Sequence, residues 1–425
     1  MNHSVIRSLV LAAVFVAVIW IASAPIQAQA EIIVTQFPIV TSGNAIGVDL
    51  SDNTVVWTDA VGSSGFSTLS NIYGYNLATN EQFPVNTDAK VIWSPSMDGT
   101  TVVWGAWDRG AGNSMATVYG YDVANWTGFT ICASGKPTSS AISGDNVIWT
   151  DAVGSSGFST LSAIKGYNLS TKQQFNILDT GKVLSGLKID GNTVVWGAYD
   201  RAGSGAANIY GYDLATKTQF TIANTGKPGA IAIGGNKVVW TDAVGSSGFS
   251  TLSNIYGYDL ATNQQFTVDT QGKVVSALLV DGDKIVWEAF DRGAGNSLAS
   301  IYAYDFAGQS VTTICNTGSP ASVTMTDCRV VWTDIVGHEG FASLSNIYSY
   351  DFIWGESFAI NADAKVIWSP IIGGDTVVWG AYDNGNHATI YGATITHAPE
   401  PGTVFMIASA AVGFAGIAFR KMRKG

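Results

Sequence analysis

The chain has 425 residues, of which 47% are hydrophobic and only 12% charged, with a formal net charge of −11. That acidic balance argues against nucleic-acid binding, which needs a basic footprint. Three cysteines are too few for a disulfide framework and leave room for one Cys315–Cys328 bridge at most.

Residues 1–30 hold Arg7, an apolar run through Ile21 and then Ala28-Gln29-Ala30. A basic start, an apolar stretch and a small-x-small site predict a secretory signal peptide cut after Ala30, with an uncleaved anchor as the alternative. The next segment, Thr35-Gln36-Phe37-Pro38-Ile39-Val40-Thr41, reads as a strand and matches Glu81-Gln82-Phe83-Pro84-Val85-Asn86-Thr87 further along.

From there eight tryptophans recur every 44–47 residues: Trp57, Trp104, Trp149, Trp196, Trp240, Trp287, Trp332 and Trp379. A fixed period of this size means an array of one small unit. Each unit reads as four short strands, in the second Lys90–Ser96, Thr101–Trp107, Thr117–Val123 and Gly128–Ala133. Turn signals such as Asp98-Gly99, Asp190-Gly191 and Asp281-Gly282 sit between the first two strands. Runs such as Thr54-Val55-Val56-Trp57 are apolar on both faces, as strands between neighbouring sheets are. The expected fold class is therefore all-β: an eight-bladed β-propeller of four-stranded blades over residues 31–397. The last unit lacks a fourth strand, so the N-terminal strand is expected to complete it and close the ring.

The units alternate. Thr58 to Ser70 recurs identically at 150–162 and 241–253 and with changes at 333–345, where His338-Glu339 stands. Even units carry Asp108-Arg109, Asp200-Arg201 and Asp291-Arg292 instead, with Asp383-Asn384 in the last. The ring is thus a fourfold repeat of a two-blade unit. Val280-Asp281-Gly282-Asp283-Lys284-Ile285-Val286-Trp287, then Asp291-Arg292 and Ile301-Tyr302-Ala303-Tyr304-Asp305, resembles TolB-type propeller repeats. That resemblance implies fold and leaves function open, since propellers serve as enzymes, binders and scaffolds.

Residues 398–425 contain Pro399-Glu400-Pro401, an apolar stretch from Thr403 to Phe419 and the basic residues Arg420, Lys421, Arg423 and Lys424. As a helix the stretch would reach about 25 Å, close to a bilayer core. This tail resembles the PEP-CTERM sorting signal. The resemblance implies an exosortase-type sorting enzyme and the secretion machinery as partners, membrane attachment through the C-terminal helix before processing, and delivery to the cell envelope, surface or extracellular space. A simple tail anchor is the alternative.

One rim is expected to gather the loop aspartates Asp59, Asp108, Asp151, Asp200, Asp242, Asp291, Asp334 and Asp383. Lys90, Lys136, Lys182, Lys227, Lys273 and Lys365, with Arg109, Arg201 and Arg292, should share it. Charge pairing that holds register is one reading; a ligand-binding rim for an anionic or polyhydroxylated molecule is the other. Trp107, Tyr199, Phe290, Tyr382, Phe66, Phe158, Phe249 and Phe341 could offer stacking faces or pack between blades. No metal or cofactor is expected: the loops lack converging carboxylates and the histidines lack ligand spacing. No nucleophile elbow or phosphate loop occurs, and near-identical copies offer little asymmetry for an acid and a base. The expectation is a non-catalytic, exported binding or structural module recognising polysaccharide. The alternatives are a polysaccharide lyase or hydrolase, and a protein-binding scaffold of the envelope.

Overall fold

A computed structural model of the chain describes residues 31–41, 43–64, 67–107, 116–133, 135–156, 159–199, 207–247, 250–290, 299–339, 342–382 and 388–397. Ala30, the loops with Asp108, Arg109, Asp200, Arg201, Asp291 and Arg292, the phenylalanines Phe66, Phe158, Phe249 and Phe341, and the tail with Pro399, Glu400 and Pro401 lie outside these. The chain divides into two compact units, residues 36–394 and the two terminal segments. Of the terminal segments, residues 32–35 and 395–397 are extended strand ends. Among the described residues no helix is long and apolar enough to cross a membrane.

The fold is all-β and antiparallel, in four seven-stranded sheets. The first holds β2 (Ala45–Ser51), β3 (Thr54–Ser64), β4 (Ser67–Asn76), β5 (Glu81–Asp98), β6 (Thr101–Trp107), β7 (Ala116–Asp122) and β8 (Thr127–Cys132). The second runs β9 (Pro137–Ser143), β10 (Asn146–Ser156), β11 (Ser159–Asn168), β12 (Gln173–Asp190), β13 (Thr193–Tyr199), β14 (Ala207–Asp213) and β15 (Thr218–Thr225). The third runs β16 (Pro228–Gly234), β17 (Lys237–Ser247), β18 (Ser250–Asp259), β19 (Gln264–Asp281), β20 (Lys284–Phe290), β21 (Ala299–Asp305) and β22 (Ser310–Cys315). The fourth runs β23 (Pro320–Met325), β24 (Arg329–Glu339), β25 (Ala342–Asp351), β26 (Glu356–Gly373), β27 (Thr376–Tyr382) and β28 (Ala388–His397), with β1 (Ile32–Thr41) hydrogen-bonded beyond β28.

Each sheet holds two of the tryptophan repeats, and an 18-residue strand joins them. The sequence reading placed two separate strands there. In β5 the first half pairs with β4 and the second half with β6. One left-handed residue redirects the chain between the halves: Ala89 (φ 51°), Gly272 (φ 63°) and Ala364 (φ 49°) in three of the four.

The ladder tryptophans are core, as their setting predicts: all eight are buried. The Val-Val pairs before them are buried too, because both faces of these strands meet neighbouring sheets. Seven of the eight tryptophans pair across the sheet with a tyrosine, ring centroids 5.5–6.2 Å apart. Hairpin carboxylates tie successive repeats: Asp98 accepts the Gly144 N–H and Asp190 the Gly235 N–H, each at 2.6 Å.

Glutamines at the start of outer strands make a second set of ties. Gln174 donates to the Ile131 carbonyl at 2.7 Å and Gln265 to the Ile222 carbonyl at 2.9 Å. Gln36 of β1 does the same to Ile360 at 2.6 Å, so β1 behaves as the outer strand of the last repeat. The first and last sheets share one hydrophobic cluster, with Val55 and Trp57 beside Val378 and Ile390. None of the three cysteines is in a disulfide, so the Cys315–Cys328 bridge is not made.

Candidate functional site

The aspartates of the odd repeats hold the backbone instead of pairing with the expected lysines. Asp59, Asp151, Asp242 and Asp334 accept the main-chain N–H of Asn44, Lys136, Lys227 and Ser319 at 2.6–2.7 Å. What Lys136 and Lys227 give the aspartate is this N–H. At Gly43, Gly135 and Gly318 a side chain would strike the same carboxylates, and φ is positive at each.

The even repeats use their lysines differently. Lys90, Lys182, Lys273 and Lys365 lie over the rings of Tyr119, Tyr210, Tyr302 and Tyr391, with Nζ 4.0–5.9 Å from the centroids. An ammonium over an aromatic face is attracted by the ring quadrupole. Two of the four also reach the phenol oxygen: Lys90 donates to Tyr119 at 2.7 Å and Lys365 to Tyr391 at 3.2 Å. Each tyrosine rests in turn on its repeat's tryptophan. Trp107 and Tyr382 pack against Trp93 and Trp368, and Tyr199 donates to the Pro228 carbonyl, so these aromatics serve packing.

Lys90 and Tyr119 line a cavity of about 270 Å³ between β5 and strands β7 and β8. Asn86, Asp88 and Trp104 line it as well. The Asn86 side chain accepts the Asp88 N–H at 3.0 Å, which fixes the turn that carries the carboxylate. The cavity thus brings one carboxylate, one ammonium and one phenol together. The sequence reading singled out Lys90 but missed Asp88 and Tyr119. A signal was present: Asp88-Ala89-Lys90-Val91-Ile92-Trp93-Ser94-Pro95 recurs letter for letter at 363–370 and in neither of the other even repeats.

Two further departures mark the body. In the third repeat Lys165 replaces the tyrosine, and its Nζ lies 2.6 Å from Asp151 Oδ2. In the sixth, buried Glu288 stands where Gly105, Gly197 and Gly380 stand in the other even repeats. Trp93 and Trp368 cover Gly105 and Gly380, whereas serines, Ser185 and Ser276, stand at the matching place beside Gly197 and Glu288. Burial pushes the Glu288 carboxyl above its ordinary value. Among the described residues no three His, Cys, Asp or Glu side chains come together to hold a metal.

No protein-family model and no curated protein matches the chain. Solved structures do. An acylaminoacyl peptidase aligns with a TM-score of 0.54 at 13% identity, over 81% of this chain and 59% of the peptidase. The β-propeller domain of the Trilobed protease from Pyrococcus furiosus aligns with a TM-score of 0.51 at 15% identity, over 71% of this chain and 92% of the domain. An oligogalacturonate lyase in complex with manganese aligns with a TM-score of 0.51 at 10% identity, over 84% of this chain and 99% of the lyase. This chain therefore spans about three fifths of the peptidase and nearly all of the lyase.

These neighbours correct the expectation of a non-catalytic module, and with it the expectation that the chain is not an enzyme: the solved structures similar to it include peptidases and a lyase. The premise behind that expectation is uniform repetition, and the repeats are not uniform at Lys165 and Glu288. At this level of identity the likeness speaks for architecture alone: the chain has an all-β fold of the propeller type.

Proposed function

We propose that this chain is an exported polysaccharide lyase on an eight-bladed β-propeller, acting at the cavity of the second repeat. Eight tryptophan repeats, long strands that each serve two repeats, and the core shared by the first and last sheets support eight blades in a closed ring. Export and envelope sorting rest on residues 1–30 and 398–425, with an exosortase-type enzyme as the processing partner.

The observation that carries the chemistry is the Lys90–Tyr119 pair at 2.7 Å in a cavity shared with Asp88. Eliminating a uronic acid linkage needs three things: a cation on the carboxylate, a base for the C5 proton, and an acid for the departing oxygen at C4. Lys90 neutralises the carboxylate, which acidifies the adjacent C–H. Asp88 takes the proton, and the electron pair left behind forms the C4=C5 double bond. The C4–O bond breaks, and Tyr119 gives its hydroxyl proton to the leaving oxygen. Hydrolysis at a sugar carbon instead calls for two facing carboxyl groups, and among the described residues Asp88 is the one carboxylate that lines this cavity. The solved lyase, matched over almost its whole length, fits this reading better than the peptidases, of which about two fifths lies outside the match. No step is routed through a metal.

The test is ultraviolet detection of unsaturated product from polygalacturonate, alginate and other acidic polysaccharides. Wild type should release it; Asp88→Asn, Lys90→Ala and Tyr119→Phe should lower kcat by about 10²-fold or more while the protein stays folded. Absence of product from every acidic polysaccharide would sink the proposal.

A further inference from the structure

Two residues in the second repeat break the pattern side by side. The turn between β7 and β8 ends in a left-handed residue, and its counterparts in other repeats are Asn80, Lys172, Lys217, Asn263, Gln309 and Gly355. Here it is Trp126, with φ 55° and 57% of its surface exposed. A bulky residue with positive φ is strained, and asparagine or glycine adopts that conformation more readily. The ring is nevertheless held: it stands edge-on against Phe83 of β5, centroids 4.8 Å apart at 85°. More than half of the Trp126 surface remains open to solvent.

Two positions on, Gly128 stands where five other repeats carry Gln36, Gln82, Gln174, Gln219 and Gln265 and the remaining two carry Val311 and Ser357, so the second repeat alone has no side chain there. Three of those glutamines bridge to the outer strand of the preceding repeat. The second repeat has no side chain to make that bridge, so the groove between β5 and β8 stays open. The glycine is not forced by crowding, because the nearest atom to an added Cβ is 3.8 Å away, on Tyr121. Gly128 also lines the cavity that holds Lys90 and Tyr119. From Phe83, under Trp126, to Lys90 the groove follows β5 for about 20 Å. The strained aromatic, the missing bridge and the polar cavity lie along this one groove.

We propose that this open groove is a cleft for an extended acidic polysaccharide, with Trp126 as the platform for a sugar ring several units from the ring held at Lys90. An aromatic face against the apolar face of a sugar supplies affinity without charge, while Lys90 supplies the anion contact. The proposal rests on the lyase reading for its substrate class. It adds a length preference: long chains reach both ends of the cleft and short oligomers reach only the Lys90 end.

The experiment measures binding and turnover separately, with polygalacturonate and its dimer as probes. Trp126→Asn installs the residue that two other repeats carry, and Gly128→Gln installs the missing bridge, with the Val85 carbonyl in the place of Ile131. Both variants should fold with unchanged or raised melting temperature. Both should bind polygalacturonate roughly tenfold more weakly by calorimetry, and Trp126→Asn should leave dimer binding unchanged. Wild-type affinity in both variants would overturn the cleft, even if the protein turns the polymer over. Weakened binding without any turnover by wild type would uphold the cleft and overturn the lyase. Failure of wild type to bind the polymer would overturn the cleft, as would equal losses for polymer and dimer in Trp126→Asn.

Discussion

Lys165 Nζ lies 2.6 Å from Asp151 Oδ2, where the other seven repeats set a tyrosine opposite the ladder tryptophan. The Asp151 side chain is 4% exposed and the lysine 31%. The other carboxylate oxygen takes the Lys136 N–H. Removing the lysine leaves a buried carboxylate short of one partner. Lys165→Ala should therefore lower unfolding free energy by about 2 kcal/mol, below the range for a fully buried pair because the lysine is partly solvated. In Asn71–Tyr73 and Asn254–Tyr256 the amide donates to the phenol, so Ala163→Asn with Lys165→Tyr should recover most of that loss. Urea unfolding midpoints of the three proteins decide it.

Asp49 predicts a pH dependence. It accepts N–H groups from Leu50 at 2.9 Å and from Met97 of the next repeat at 2.8 Å. Burial nevertheless outweighs these bonds and pushes its carboxyl up to about 6. The folded chain then keeps this proton at pH values where the unfolded chain has lost it. The associated stability is present below the unfolded value of 3.8 and is lost as pH rises through about 6. The loss should be about 3 kcal/mol, and Asp49→Asn should flatten that part of the curve. Thermal melts from pH 3.5 to 7 on both proteins measure it.

Glycines in this chain divide into those that are compressed and those that are open. At Gly257 an added methyl would overlap the Phe266 ring, whereas at Gly128 it would meet nothing closer than 3.8 Å. Gly257→Ala should cost about 2 kcal/mol or more. Gly128→Ala should stay within about 0.5 kcal/mol of wild type. Denaturant titration of the two variants side by side tests the contrast.

The second and eighth repeats carry the same Asp-Ala-Lys-Val-Ile-Trp-Ser-Pro stretch, yet Gln36 bridges the groove beside the eighth. Lys365 should therefore be dispensable where Lys90 is not. Lys90→Ala should lower release of unsaturated product by about 10²-fold or more, and Lys365→Ala should retain more than half of it. Equal losses in the two variants would show that the bridge does not gate access.

The architecture was legible because its signals are local. A Val-Val-Trp run declares a buried strand wherever it occurs, and the likeness of residues 35–41 to 81–87 was enough to place β1 beside β28. The site was less legible because its meaning depends on partners in other repeats. Asp151 reads as a loop charge until the Lys136 N–H and Lys165 are beside it. Gly128 is unremarked until Gln174 and Gln265 are seen reaching across to their neighbours. Counting what recurs exposed the ladder and passed over Lys165, Trp126 and Glu288, which are informative because they do not recur.

The position of β1 has a consequence for biogenesis. Its neighbour, β28, is the last strand described, so β1 stays unpaired there until β28 has been made. Pairings this distant in sequence form slowly. If the N-terminal segment is used for export, translocation comes before the final sheet is complete, and the molecule acquires its last edge strand on the far side of the membrane.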